Sequence, residues 1–131
     1  MPQVAPSCPK PKLPVTDRII IQNRKYFKPF DGTDNPCCWM ADLVSVDLEK
    51  ILRDSIGEFD SMFEDWGIAH SWKNQNGIVH SLQISCIDLE APRFEITLHV
   101  EKKRLLLFPK KMPIAHSDFP EIITSLKNLS E

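Results

Sequence analysis

Four histidines and four cysteines are the side chains of this sequence best suited to bind a metal. His70 and His80 share one face of two neighbouring predicted strands, and Cys86 lies on that face of the strand that carries His80. Zinc ligands usually occur in close local pairs such as CxxC or HxxxH, and the sequence has neither. We therefore expect core-facing histidines, with no metal site and no cofactor.

Nucleophilic catalysis is not indicated either. The sequence contains no GxSxG, no glycine-rich phosphate loop and no HExxH. Cys37 or Cys38 near a helix N-terminus could have a lowered thiol pKa, but the sequence places no base beside them. Adjacent cysteines rarely bridge each other, and Cys86 is predicted to be buried. We expect four thiols in a reducing intracellular compartment, cytoplasmic or nuclear, and no catalytic residue.

Alternation of apolar and polar residues predicts a β-hairpin in the middle of the chain. It runs through residues 78–86 and again from Phe94 to Val100, with Pro92 in the break between them. The pattern predicts one buried and one wet face. A three-residue loop, 90–92, keeps apolar residues opposite one another. The predicted pairs are Leu82 with Val100, Ile84 with Leu98, Cys86 with Ile96, and Asp88 with Phe94.

A third strand precedes this hairpin. Residues 67–74 carry Ile68, His70 and Trp72 at one parity, followed by Gln75, Asn76 and Gly77. A two-residue Asn-Gly turn would direct Ile68 and Trp72 outwards, so we predict a three-residue bulged loop with positive φ at Gly77. The predicted pairs are Trp72 with His80, His70 with Leu82, and Ile68 with Ile84.

Helical periodicity predicts two helices around these strands. The first runs from about Val46 to Trp66, with Gly67 as its stop, and a short turn begins at Asn35 and Pro36. The second follows a capping box that begins at Asp118 and has Pro120 in its first turn. Residues 18–27 contain three consecutive isoleucines and form either an edge strand or an extended arm.

These elements predict an α+β fold of order α-β-β-β-α. An antiparallel sheet of three or four strands has two helices packed on one face. Residues 1–17 are predicted to be a proline-rich flexible arm, since five of the eleven prolines lie in residues 1–15. Residues 18–131 are predicted to form a single α+β domain, a size that can bury its own core.

Charge is distributed unevenly along the chain. Residues 42–65 contain eight acidic and two basic residues, whereas residues 93–111 contain six basic and two acidic ones. The formal net charge is only −2, so the unevenness favours contacts within the fold or with a partner of mixed charge. No apolar run approaches the ~18 residues of a membrane span, and the N-terminus has no apolar segment like that of a signal peptide. We expect no membrane partner.

The basic stretch after the last strand is the predicted binding surface. If the strand continues, two leucines point outwards among lysines and form an exposed apolar patch, which usually marks a partner surface. The predicted binding residues are Lys102, Lys103, Arg104, Leu105, Leu107, Lys110 and Lys111. We expect a non-catalytic protein–protein interaction module, a subunit or adaptor of a larger assembly, with a homo-oligomer as one form of it.

Two alternatives remain. One is an RNA- or nucleic-acid-binding domain that uses the basic edge 102–111. The predicted topology resembles that of double-stranded-RNA-binding domains and of the small signal-recognition-particle Alu proteins. Those RNA-binding domains need lysines at the start of the second helix, where this sequence is acidic around Asp118 and Glu121. The other alternative is a small chaperone or an immunity-type inhibitor.

Overall fold

One antiparallel sheet with two helices forms the architecture. The computed structural model describes residues 15–32, 35–73, 77–101 and 120–130. The elements are β1 (Val15–Gln22), a 3₁₀ turn (Arg24–Tyr26), α1 (Ala41–Ser55), β2 (Asp60–Glu64), β3 (Gly67–Lys73), β4 (Val79–Asp88), β5 (Arg93–Glu101) and α2 (Pro120–Lys127). The sheet has five strands in the order β1-β5-β4-β3-β2. The α+β class is confirmed, but the sheet is larger than the predicted three or four strands, and a strand precedes the first helix.

The isoleucine-rich segment near the start forms the edge strand β1. It pairs antiparallel with β5, with Ile19 opposite Ile96 and Ile21 opposite Phe94. Ile19 and Ile21 are buried in the core, whereas Ile20 points to the other face and is exposed. Of the two predicted alternatives for residues 18–27, the strand is therefore the correct one for residues 18–22.

The predicted register between β3 and β4 is confirmed. Ile68 pairs with Ile84, and His70 pairs with Leu82, as parity required. Trp72 pairs with His80, and their rings stack 5.6 Å apart. Gly77 has the predicted positive φ, at 75°. Residues 74–76 of the connecting turn lie outside the described residues, so the predicted bulge stays a prediction.

The predicted register between β4 and β5 is wrong by two residues. The turn is one residue longer than predicted, and a bulge lies between Cys86 and Asp88, so that Asp88 pairs with Arg93. Asp88 Oδ1 accepts hydrogen bonds from the backbone N–H groups of Glu90 (2.9 Å) and Ala91 (3.1 Å), which stabilises the longer turn. A shift of two keeps every side chain on its predicted face. The observed pairs are Leu82 with Leu98, Ile84 with Ile96, and Cys86 with Phe94.

The prediction for the first helix is wrong at both ends. It begins at Ala41 rather than Val46 and ends at Ser55 rather than Trp66. Gly57, at φ 85°, closes the helix with its N–H directed to the carbonyl of Leu52. The apolar residues that follow at helical spacing belong instead to a loop and to β2.

The predicted short turn before this helix is present. Asn35 Oδ1 accepts the backbone N–H of Cys37 at 2.9 Å, and residues 36–40 form turns that end at Met40, at φ 63°. At the other end of the chain, α2 begins at the predicted Pro120. Residues 118–119, with the predicted cap Asp118, and residues 1–14 of the predicted arm 1–17 lie outside the described residues. Residues 15–17 of that arm belong to β1 instead.

Both helices contribute to one core on one face of the sheet. Their buried residues and the inward residues of the strands form a single hydrophobic cluster. The burial of the predicted inner face is therefore confirmed. From α1 the cluster takes Val44, Leu48 and Leu52, and from α2 it takes Ile122 and Leu126.

The opposite face of the sheet is not the wet face that alternation predicts. Its central side chains in β4 and β5 are buried, although they are polar. Strands β4 and β5 each pair with a strand on both sides, so neither of their edges is open to solvent. Thr97 Oγ1 and His99 Nε2 lie 2.7 Å apart and hydrogen-bond each other. The buried residues of this polar face are Ser81, Gln83, Ser85, Thr97 and His99.

Candidate functional site

The surface predicted to bind a partner lies outside the described residues. This applies to each of its members, so the basic edge stays a prediction. The residues concerned are Lys102, Lys103, Arg104, Leu105, Leu107, Lys110 and Lys111.

A different surface stands out among the described residues, namely strand β2. It is the last strand of the sheet, so one of its edges pairs with β3 and the other pairs with no described strand. Met62 is 61% exposed and Phe63 is 70% exposed. Large apolar side chains on an unpaired edge strand are a recurrent feature of sites where another chain binds. We call β2 and its flanking acids the β2 edge.

Acidic residues surround the exposed pair. Asp60 and Glu64 begin and end the strand, and Glu58 and Asp65 flank it. No described cation forms an ion pair with any of the four. The nearest preceding basic residue in the sequence is Arg53, whose guanidinium lies near Glu49 (3.8 Å) and over the Phe59 ring. The β2 edge therefore combines an apolar centre with a negative rim.

A buried histidine attaches β2 to helix α1. His70 Nδ1 lies 2.7 Å from Ser61 Oγ on β2, and His70 Nε2 lies 3.3 Å from Ser45 Oγ on α1. Ser61 Oγ also donates to Glu49 Oε1 at 3.3 Å. Burial lowers the pKa of His70, and the nearby Glu49 carboxylate partly opposes this. His70 is thus neutral at pH 7 and has a hydrogen-bond partner at each ring nitrogen.

A serine beside a neutral imidazole is also the first part of a nucleophilic site. Here the Ser61 hydroxyl is shared between His70 and Glu49, and the group behind the imidazole is an uncharged serine. An acyl-transfer site further needs donors aimed at a developing oxyanion. We interpret the cluster of Ser45, Glu49, Ser61 and His70 as a brace between β2 and α1. Ser61 was not among the predicted site residues because helical periodicity predicts a helix there, whereas the residue lies in β2.

An open groove of about 940 Å³ lies beside the β2 edge, where α1 ends. Its lining combines Phe59 and Trp72 with charged residues of both signs, including Asp60 and Lys73. The groove reaches Ser61, the residue of β2 that His70 holds. It extends the candidate surface from the strand towards the helix.

The histidine and cysteine positions do not assemble a metal centre in the described part of the chain. No group of three or more His, Cys, Asp or Glu residues is placed there to hold an ion. His70 and His80 do share the inner face, as predicted. Their surroundings are the brace and the Trp72 ring.

The cysteines differ from the prediction of four thiols. Cys38 and Cys86 are free, as predicted, but Cys37 is disulfide-bonded. Adjacency argued only against a bond between Cys37 and Cys38 and left more distant partners open. This bond removes the argument from cysteine usage for a reducing compartment.

Neither free thiol is activated. Cys38 Sγ lies near the carbonyl oxygens of Glu64 (3.2 Å) and Gly67 (3.4 Å). Burial raises its pKa, and the acids Asp42 and Asp65 add to the shift. Burial raises the pKa of Cys86 to about 11. Both are poor nucleophiles at neutral pH.

Comparisons with protein-family models, curated proteins and solved structures find no match to this chain. Across the described residues, no helix has the length and apolarity to cross a membrane.

Proposed function

We propose that this chain is a non-catalytic protein–protein interaction module, a subunit or adaptor of a larger assembly. The observation that carries the proposal is the exposure of Met62 and Phe63 on β2, whose outer edge pairs with no described strand. Leaving two large apolar side chains in water forgoes about 1.5–3 kcal/mol each relative to full burial. A partner that covers them recovers part of this free energy.

The brace also supports a role of β2 in protein binding. An interface residue binds more tightly when its own backbone is already ordered, because less conformational entropy is lost on association. Ser61 precedes Met62 in the strand and is held by His70 from the core. The exposed pair is therefore presented on a strand that is ordered before any partner arrives.

Nucleic acid is the weaker alternative. The β2 edge has a negative rim, which repels phosphates. Helix α1 carries further acids, including Asp42, Asp47 and Glu49. The nucleic-acid proposal therefore depends on the basic stretch 102–111 alone.

Site-specific photo-crosslinking in the native source tests the proposal. A benzophenone amino acid replaces Phe63, and in a matched control it replaces Val46, which is 54% exposed on α1. We expect a discrete protein adduct from position 63 and little from position 46. A third variant with the crosslinker at Leu107 tests the predicted basic edge.

The identity of the adduct decides between the alternatives. A protease-sensitive adduct at position 63 supports the interaction module. A nuclease-sensitive adduct, or equal labelling at positions 63 and 46, contradicts it.

A further inference from the structure

We propose that the partner binds by β-strand addition: an extended segment rich in lysine or arginine pairs with the edge of β2 that contacts no described strand. This inference rests on the proposed function and names the class of partner that the β2 edge accepts.

The backbone of β2 is suited to strand addition. An edge strand presents unpaired N–H and C=O groups to any extended chain that approaches it. Proteins usually protect such edges with proline, lysine, a bulge or a covering segment. The five residues of β2 include no proline and no lysine, and no bulge interrupts their pairing with β3. This edge carries large apolar side chains instead.

The exposed side chains offer contacts on both faces of an added strand. Phe63 lies opposite Ile68 and so belongs to the core face, whereas Met62 lies opposite Ala69 on the other face. Successive residues of an added strand also alternate between faces. One set of its side chains would pack beside Phe63 and the other beside Met62. Directly opposed pairs of this kind are the main source of side-chain stabilisation in sheets.

Charge then selects the partner. Asp60 and Glu64 are the first and last residues of β2, and Glu58 and Asp65 lie just outside it. An added strand places its own side chains within about 5 Å of these acids. Lysine or arginine there is attracted, and aspartate or glutamate is repelled. A basic segment with apolar residues at alternate positions fits both the charge and the faces.

The same charges disfavour a second copy of β2 as the occupant. In an antiparallel pair of β2 strands centred on Met62, Asp60 of each copy would lie opposite Glu64 of the other. Two directly opposed like charges destabilise such a pair. The partner segment is therefore chemically different from β2.

A short synthetic peptide of alternating lysine and valine, about seven residues long to match a typical strand, is the first probe. Calorimetric titration into the full chain measures its affinity, and amide NMR shifts locate it. The control peptides replace lysine by glutamate, or carry N-methyl groups on alternate backbone nitrogens. N-methylation removes main-chain donors and leaves the protein untouched.

We expect the lysine peptide to bind and to shift the amides of residues 60–64. The N-methylated peptide should bind at least about tenfold more weakly, because several main-chain hydrogen bonds are lost. The glutamate peptide should bind more weakly still. Phe63→Ser should weaken the lysine peptide by about fivefold, and the matched exposed variant Val46→Ser should leave it unchanged.

Other results overturn the inference. Absence of binding at about millimolar peptide excludes a strand-addition site of useful affinity. If N-methylation leaves the affinity of the lysine peptide unchanged, its main chain does not pair with β2 and the peptide is held by charge alone. A dimer of the free chain that Phe63→Ser abolishes would assign the edge to a second copy. A protein adduct at position 63 combined with any of these results leaves the proposed function standing while strand addition falls.

Discussion

His70 is a buried titratable side chain whose neutral form connects two elements. Its ring nitrogens face Ser61 on β2 and Ser45 on α1, and protonation would place a positive charge in the interior. Glu49 is the acid near enough to favour that charge, and burial outweighs it. Because the pKa of His70 in the folded protein lies below its ordinary value of 6.5, the unfolded chain takes up the proton first as pH falls.

This direction fixes the sign of a pH dependence. The contribution of His70 to stability is fully present above its unfolded pKa of 6.5 and is lost as pH falls towards the folded pKa. We expect the free energy of unfolding to decrease between about pH 7.5 and about pH 5.5, and the decrease to be smaller in His70→Gln. Urea denaturation at several pH values measures both. Equal pH dependence in the two proteins would contradict this role.

At the scale of elements, the β2–β3 hairpin depends on a close backbone approach. Gly67 begins β3 at φ 152°, and a Cβ atom added there would overlap the carbonyl oxygen of Ile84 on β4. The obstacle is backbone, which cannot rotate away. Glycine at this position lets β3 approach β4 at the point where the chain turns back from β2.

Gly67→Ala should therefore destabilise the fold strongly. We expect a loss of more than about 2 kcal/mol in the free energy of unfolding, measured by urea denaturation. Gly77→Ala is the matched control, because Gly77 also has positive φ but has open space around its α-carbon. That control should lose only about 1 kcal/mol from backbone strain. Similar losses in the two variants would show that overlap with the Ile84 carbonyl oxygen is not the cause of the destabilisation.

Local alternation predicted the strands well because it reflects burial on one face. Ile68, His70 and Trp72 pair as parity requires, since a one-residue slip would expose all three. The turn length after β4 was predicted one residue short because Asp88 stabilises a longer turn through its own side chain. That local hydrogen bonding has no signature in hydrophobic periodicity.

The apolar spacing beyond Ser55 was misread as helix for a physical reason. Phe59, Met62 and Trp66 recur at three- and four-residue steps, which fit a helical stripe. In the fold, Met62 is exposed on β2 and Trp66 is buried in the next turn, so the residues never shared a face. The exposed pair that defines the candidate surface was hidden in this segment. Only Gly57 signalled the earlier end, and a single glycine within a helical pattern is ambiguous.

At the scale of the whole molecule, the five strands are held unequally. β4 and β5 each have strands on both sides and supply much of the core, whereas among the described strands β2 pairs with β3 alone. Regions with few buried contacts open at lower free energy than the core. The candidate surface is therefore at the least supported end of the sheet.

Native-state hydrogen exchange tests this gradient. We expect the slowest amides in the centres of β4 and β5 and clearly faster exchange in β2. Protection in β2 should increase when the alternating lysine–valine peptide is bound. If the amides of β2 exchange as slowly as those of β4 in the free protein, the proposed inequality is wrong.

The outer strand at the other side of the sheet, β1, is engaged at one end by residues that follow α2. At the end of β1, Gln22 is already engaged, since its N–H donates to Ser130 Oγ (3.1 Å) and its carbonyl accepts from that hydroxyl (3.3 Å). Asn23 Nδ2 also donates to the carbonyl of Leu129. Two open edges on one molecule would allow head-to-tail growth into fibres. Because the main-chain N–H and C=O of Gln22 are both engaged by Ser130, a strand from a second molecule cannot pair with β1 at that position without displacing Ser130.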